Sequence, residues 1–244
     1  MHFAVFLPYL IIVSGLALGL ARMRPAMRPW GICMIGALSG PGAVAVLFAI
    51  NQMPPWYLLA VSLAPFAAVL AMVVRDLSYP AINDVTTDIQ NPPEFTAAPG
   101  LPENSGRDMT YPESFNAKVR KAYPHLQSLK SNEPADRVFD IVVEDARRQR
   151  GWHVHNADAT ARTVEAEAVT PFLGFVDDVV IRVTEQDGIT CVDMRSKSRE
   201  GLVDAGKNAK RITGFFEGLR RSSARYPSRE DSKLTHISHE GALS

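Results

Sequence analysis

Hydrophobic positions along this chain follow two regimes. From Phe3 to Ala21, Trp30 to Ile50 and Trp56 to Val74 they run almost unbroken, each run close to the roughly 20 residues that a bilayer-crossing helix needs. Pro8, Pro41 and Pro65 sit inside these runs, where neighbouring helices can satisfy the carbonyls that proline frees. Trp30, Trp56 and Tyr57 stand at the run ends, a position that suits rings preferring the headgroup region. Ser39, Gly40 and Gly42 form a small-residue patch that lets a second helix approach closely. Three transmembrane helices, at 3–21, 30–50 and 56–74, are expected.

Beyond residue 75 the pattern breaks and then becomes periodic. Pro80, Pro92, Pro93, Pro99, Pro102, Pro112 and Pro124 interrupt residues 76–133, which excludes long helices there. Apolar anchors such as Ile82, Val85, Phe95, Met109, Tyr111 and Tyr123 suggest a strap wrapped on a soluble domain rather than a free linker. Glu133 to Arg150 reads as a helix with Val138, Ile141, Val142 and Ala146 on one face and Gly151 as its stop. Strand patterns follow at 152–157, 162–170, 178–185 and 188–196. In the second, Val164, Ala166 and Ala168 alternate with Thr163, Glu165 and Glu167, as in a half-buried strand. Asp187-Gly188 between the last two marks a hairpin, because both residues accept positive φ. Asp204 to Arg221 reads as a second helix with Ala209, Ile212, Phe216 and Leu219 as its stripe and Asp204 as its cap. The fold class is therefore α+β: an antiparallel four-stranded sheet packed by two helices, with a core at 134–221 and a polar, flexible tail at 222–244.

Charge sharpens the division. Residues 1–74 hold no Asp, Glu or Lys and only Arg22, Arg24 and Arg28, which leaves 23 basic and 26 acidic residues from Arg75 onward. No basic excess points to nucleic acid as a partner. The segment before Pro8 lacks the positive charge of a signal peptide. Arg22 to Pro29 carries three Arg and Asn51 to Pro55 none, so the positive-inside rule places the Arg connection and everything after Arg75 in the cytoplasm. Cys33 and Cys191 fall in unrelated segments, and neither a disulfide nor a cysteine metal cluster is expected.

Four constellations carry candidate chemistry. Asn83-Asp84-Val85-Thr86-Thr87-Asp88 offers amide, hydroxyl and carboxylate groups that bind a polar ligand or satisfy their own backbone in turns. Asp177-Asp178 closes an aromatic loop, although adjacent strand residues face opposite ways. Arg195, Ser196, Lys197, Ser198, Arg199, Glu200 and Gly201, followed by Asp204, Gly206, Asn208 and Arg211, form a strand-to-helix turn suited to an anion or to a solvated cap. Arg195, Arg199 and Arg211 are expected near one another, with Asp177 or Asp178 as the acidic partner. His153 and His155, two apart on a strand, share one face, but no third ligand fixes a metal site. Neither a metal nor a cofactor is expected.

The ordered motifs Asn83-Asp84-Val85-Thr86-Thr87-Asp88, Asn91-Pro92-Pro93 with Phe95, Ala122-Tyr123-Pro124, Pro171-Phe172-Leu173-Gly174-Phe175-Val176-Asp177-Asp178-Val179 and Val192-Asp193-Met194-Arg195-Ser196-Lys197-Ser198-Arg199, with Gly201, Asp204, Gly206, Asn208, Ala209 and Arg211-Ile212, resemble the family called domain of unknown function 1499. Lys197 stands where the family usually has Arg, and Val203 where it often has Ser. The resemblance implies a membrane-anchored bacterial protein without an assigned activity; lipid-attached members imply an extracytoplasmic domain as the alternative to the cytoplasmic placement. The expected setting is the bacterial inner membrane, with the lipid bilayer and an unknown small molecule or membrane protein as partners. The leading functional reading is a non-enzymatic domain binding a small anionic or polar ligand or a protein partner. A hydrolase or other small-molecule enzyme using Asp84, Asp88 or Asp178 is the rival. A scaffold, in which these side chains bond to backbone and to one another, is the third.

Overall fold

The computed structural model describes residues 5–20, 29–50, 55–171 and 174–225. The Arg22–Arg28 connection, residues 51–54, Phe172, Leu173 and the expected tail from 226 onward lie outside the described residues. Two compact units divide the chain, one of residues 1–80 with 169–176 and one of residues 81–168 with 177–244.

The first unit contains α1 (Leu7–Leu20), α2 (Pro29–Ala49) and α3 (Trp56–Asp76). Among the described residues, two helical stretches are long and apolar enough to cross a membrane, Gly31–Ala49 and Trp56–Asp76, rather than the three expected. With 14 residues, α1 rises about 21 Å, short of the roughly 30 Å hydrocarbon core. The small-residue patch has a packing role: a Cβ on Gly40 would collide with the Ser62 carbonyl.

The second unit is α+β, and its sheet is larger than expected. Six strands, β1 (Asp84–Thr86), β2 (Leu129–Ser131), β3 (Trp152–Asp158), β4 (Thr163–Val169), β5 (Val176–Gln186) and β6 (Ile189–Ser198), are ordered β1-β6-β5-β4-β3, with β2 also on β6. The pairs β1–β6, β2–β6, β3–β4 and β5–β6 are antiparallel. The two additional strands come from the proline-rich segment. They lie along the outer edge of β6, β1 opposite Arg195–Lys197 and β2 opposite Thr190–Val192, and so cover backbone that a bare edge leaves unpaired. Asp187 (φ 51°) and Gly188 (φ 76°) make the tight β5–β6 turn.

Helices α5 (Ala135–Arg148) and α6 (Lys207–Arg225) cover one sheet face. Val138, Ile141, Val142 and Ala146 of α5 and Ala209, Ile212, Phe216 and Leu219 of α6 are buried against Val179, Ile181, Val183, Val192 and Met194. Phe215 joins them, its ring stacked 5.4 Å from that of Trp152. Helix α6 runs through Ser222 to Arg225, where a tail was expected from residue 222. A short helix, α4 (Asn116–Ala122), interrupts the proline-rich segment. The second sheet face is covered as well: Phe95, Ala98 and Met109 pack on Val180.

Candidate functional site

Alternation along β6 sends Asp193, Arg195, Lys197 and Arg199 to the face under the proline-rich segment and Val192, Met194, Ser196 and Ser198 to the helix face. Register then supplies partners. Asp84 and Asp178 flank Lys197 from either side, Thr86 and Val180 flank Arg195, and Arg182 stands opposite Asp193.

Arg195, 1% exposed, anchors this face. Its Nε and Nη2 donate to the two oxygens of Asp84 at 2.9 and 2.7 Å, while Nη1 and Nη2 donate to the carbonyls of Pro93 and Met109 at 3.2 and 2.8 Å. The guanidinium lies between the rings of Phe95 and Tyr111, 4.8 and 5.3 Å from their centroids, a geometry that adds cation–π attraction where water is excluded. Lys197 Nζ donates to the same Asp84 carboxylate at 3.0 Å. The partner of Arg195 is thus Asp84 and not Asp177 or Asp178, because β1, only three residues long, aligns Asp84 along the β6 edge.

Similar pairings continue along the sheet. Arg199 forks onto Asp178 and also reaches Glu167 at 2.5 Å, and Asn104 Nδ2 donates to Asp178 at 3.2 Å. These partners outweigh burial, which alone lowers the Arg199 pKa, and hold it above the ordinary value. Arg107 donates to the carbonyls of Ser198 and Arg199. Asp193 accepts from Thr87 and Ser128 at 3.0 and 2.5 Å and from Arg182 at 3.4 Å. Arg182 also donates to Asp88 at 3.2 Å. Asp88 itself accepts the backbone N–H groups of Gln90 and Asn91, and Thr86 donates to the Asp88 carbonyl at 3.2 Å.

Glu165, which alternation placed opposite the apolar face of a half-buried strand, is completely buried in the structure. Its carboxylate accepts four hydrogen bonds at 2.7–2.8 Å, from Thr96 N and Oγ1, Ala97 N and Ala98 N. His155 Nε2 lies 3.9 Å away. Burial pushes its pKa up, but the nearby His155 and the donors of Thr96, Ala97 and Ala98 outweigh it and bring the value to about 2. His155 falls at a register shift between Val154 and Asn156, which breaks the regular alternation assumed for His153 and His155. Among the described residues no group of three or more His, Cys, Asp or Glu side chains is arranged to hold a metal.

On the helix face a second, separate cluster forms. Asn208 Oδ1 accepts from Ser196 Oγ and Arg211 Nη1 at 2.7 and 2.6 Å, and its Nδ2 donates to Ser198 Oγ and the Asn83 carbonyl at 3.0 and 3.2 Å. Arg211 pairs with Asp177. Asp204 accepts the N–H groups of Gly206 and Asn208 at 2.9 and 2.8 Å, so the donors expected to receive an anion are already occupied. Burial raises the Asp204 pKa despite those bonds. Arg195 and Arg199 therefore share one face while Arg211 sits against the other, and the three do not converge. The physical reason is strand alternation, which separates Asp177 from Asp178 in the same way.

A concavity of about 800 Å³ is lined by residues that include Phe95, Met109, Tyr111 and Arg195. Tyr111 is 8% exposed, and its hydroxyl is buried without a hydrogen-bond partner. Burial, with Asp84 nearby, raises its pKa. Sequence reasoning named Tyr111 only as an apolar anchor, and it gave no role to Arg107, Arg182 or Asp193. A charged residue at alternate positions of an otherwise apolar strand was the available signal.

Residues 84–219, more than half of the chain, match the family model described as a protein of unknown function (DUF1499). The match begins at the first residue of β1 and ends within α6, leaving the apolar helices outside it. No curated protein matches the chain.

Proposed function

This chain belongs to the DUF1499 family, and on that premise we propose that it is a membrane-attached, non-catalytic domain whose buried charges clamp the proline-rich strap on the sheet and whose strap-side concavity binds a small polar ligand. What supports the reading is the state of the carboxylates that hydrolysis would require. Asp84, Asp88 and Asp178 are each engaged by an arginine, which orients the carboxylate toward the clamp instead of a substrate. The unpaired Tyr111 hydroxyl is a group lining the concavity that gains from a ligand, because a buried hydroxyl without a partner costs free energy.

The domain lies on the cytoplasmic side of a bacterial inner membrane in this reading. Two spans give the same side as three. Once the Arg22–Arg28 connection is held inside, α2 crosses outward and α3 returns.

Replacing Tyr111 with Phe tests the binding role. The ring and its stacking on Arg195 remain while an unpaired hydroxyl disappears, so the melting temperature of the intact chain is expected to stay equal or to rise, within about 1 kcal/mol. Small molecules released by denaturing the purified chain, identified by mass spectrometry, are expected with the wild type and absent from Tyr111→Phe. Equal retention by both chains, or none by either, contradicts the proposal.

A further inference from the structure

We propose that the end of the sheet where the chain enters the second unit docks on the lipid surface through Leu202 and Val203, an inference that rests on the membrane attachment proposed above. Leu202 is 82% exposed and Val203 37%, although both belong to a well-fastened loop. Asn83 Nδ2 donates to the Gly201 carbonyl at 2.9 Å, Asp204 N to the Ile82 carbonyl at 3.3 Å, and Ser198 N to the Asn83 carbonyl at 2.7 Å. Positive φ at Gly201 (82°), Ala205 (52°) and Gly206 (74°) turns the backbone on either side. At Ala205, which is not glycine, that conformation is sparsely populated. A loop held this firmly displays its leucine as a fixed feature of the fold.

Chain connectivity identifies the occupant. The loop is bonded to Ile82 and Asn83, and Ile82 follows Asp76, the end of the 21-residue apolar helix α3, by six residues. Six residues span at most about 20 Å. Leu77, between them, is 78% exposed. The end of the sheet carrying Leu202 is therefore the end where the short connection from α3 enters, while the Asp187-Gly188 turn lies at the other end of β5 and β6. A short apolar loop binds lipid weakly by itself, but a covalent tether raises its effective concentration at the interface.

The test uses the full chain in nanodiscs of phosphatidylcholine and phosphatidylglycerol. Nitroxide labels are placed singly at Leu70→Cys in α3, Leu202→Cys, and Gln186→Cys beside the distal turn, with the labelled parent chain giving the background from Cys33 and Cys191. Collision with oxygen, which concentrates in lipid, is compared with collision with a water-soluble nickel chelate. Oxygen is expected to dominate at positions 70 and 202 and nickel at 186. Nickel dominance at 202 with oxygen dominance at 70 overturns the docking and leaves the membrane attachment standing. Nickel dominance at 70 overturns both, and oxygen dominance at 186 overturns the assignment to this end.

Discussion

Replacing Arg195 with Ala is expected to destabilise the domain by roughly 3–5 kcal/mol, the cost of breaking a buried ion pair from one side. Asp84, 0% exposed, would keep Lys197 as its cation but lose both guanidinium hydrogen bonds. The Pro93 and Met109 carbonyls would lose their donors, and the space between Phe95 and Tyr111 would open. At about 2–4 °C per kcal/mol for a domain of this size, the melting temperature should fall by roughly 10 °C. Arg195→Lys should fall between wild type and Ala, because an ammonium keeps the charge but cannot fork onto a carboxylate and reach two carbonyls. Thermal unfolding of the intact chain in detergent, followed by near-ultraviolet circular dichroism, checks this. A shift of less than about 2 °C for Arg195→Ala would mean that the guanidinium is not a structural anchor.

Acid should act through Glu165. Its folded pKa of about 2 lies below the ordinary carboxyl value of 4.5, so its contribution to stability is fully present above pH 4.5. That contribution is lost as pH falls through the interval from 4.5 to about 2. The shift corresponds to a contribution on the order of 3 kcal/mol. Glu165→Gln is expected to cost about 2 kcal/mol near neutral pH, since the neutral amide accepts more weakly from Thr96, Ala97 and Ala98 and its NH2 group faces a donor. The variant should also lose the acid-dependent decline within that interval. Melting temperatures of both chains across the acid range provide the comparison. Parallel profiles would remove Glu165 as the acid-sensitive latch.

The helix-face core was legible in the sequence because its signals are long and periodic. Val138, Ile141, Val142 and Ala146 repeat over a 14-residue helix, and Ala209, Ile212, Phe216 and Leu219 over a 19-residue one, and each set is buried. Asp187-Gly188 located the hairpin through local backbone preference. The strap-side face was not legible. Three-residue strands such as β1 and β2 are too short to display a period of two. The Asp84–Arg195 pair joins residues 111 positions apart, and only the β1–β6 register brings them together. Glu165 and Glu167 looked like solvent-facing residues because alternation tells which face a side chain takes but not what covers that face. The apolar run from Phe3 to Ala21 was read by length, whereas the described helix covers Leu7–Leu20.

Hydrogen exchange at the amides of Thr96, Ala97 and Ala98 in the intact chain tests most directly whether the buried charges clamp the strap. These N–H groups end on the Glu165 carboxylate and belong to no regular sheet ladder. If the clamp holds, they open only with the sheet and exchange as slowly as the central amides of β5 and β6, and Glu165→Gln accelerates them while those strands stay protected. Exchange at the rate of an exposed loop in the wild type, with β5 and β6 protected, would contradict the account.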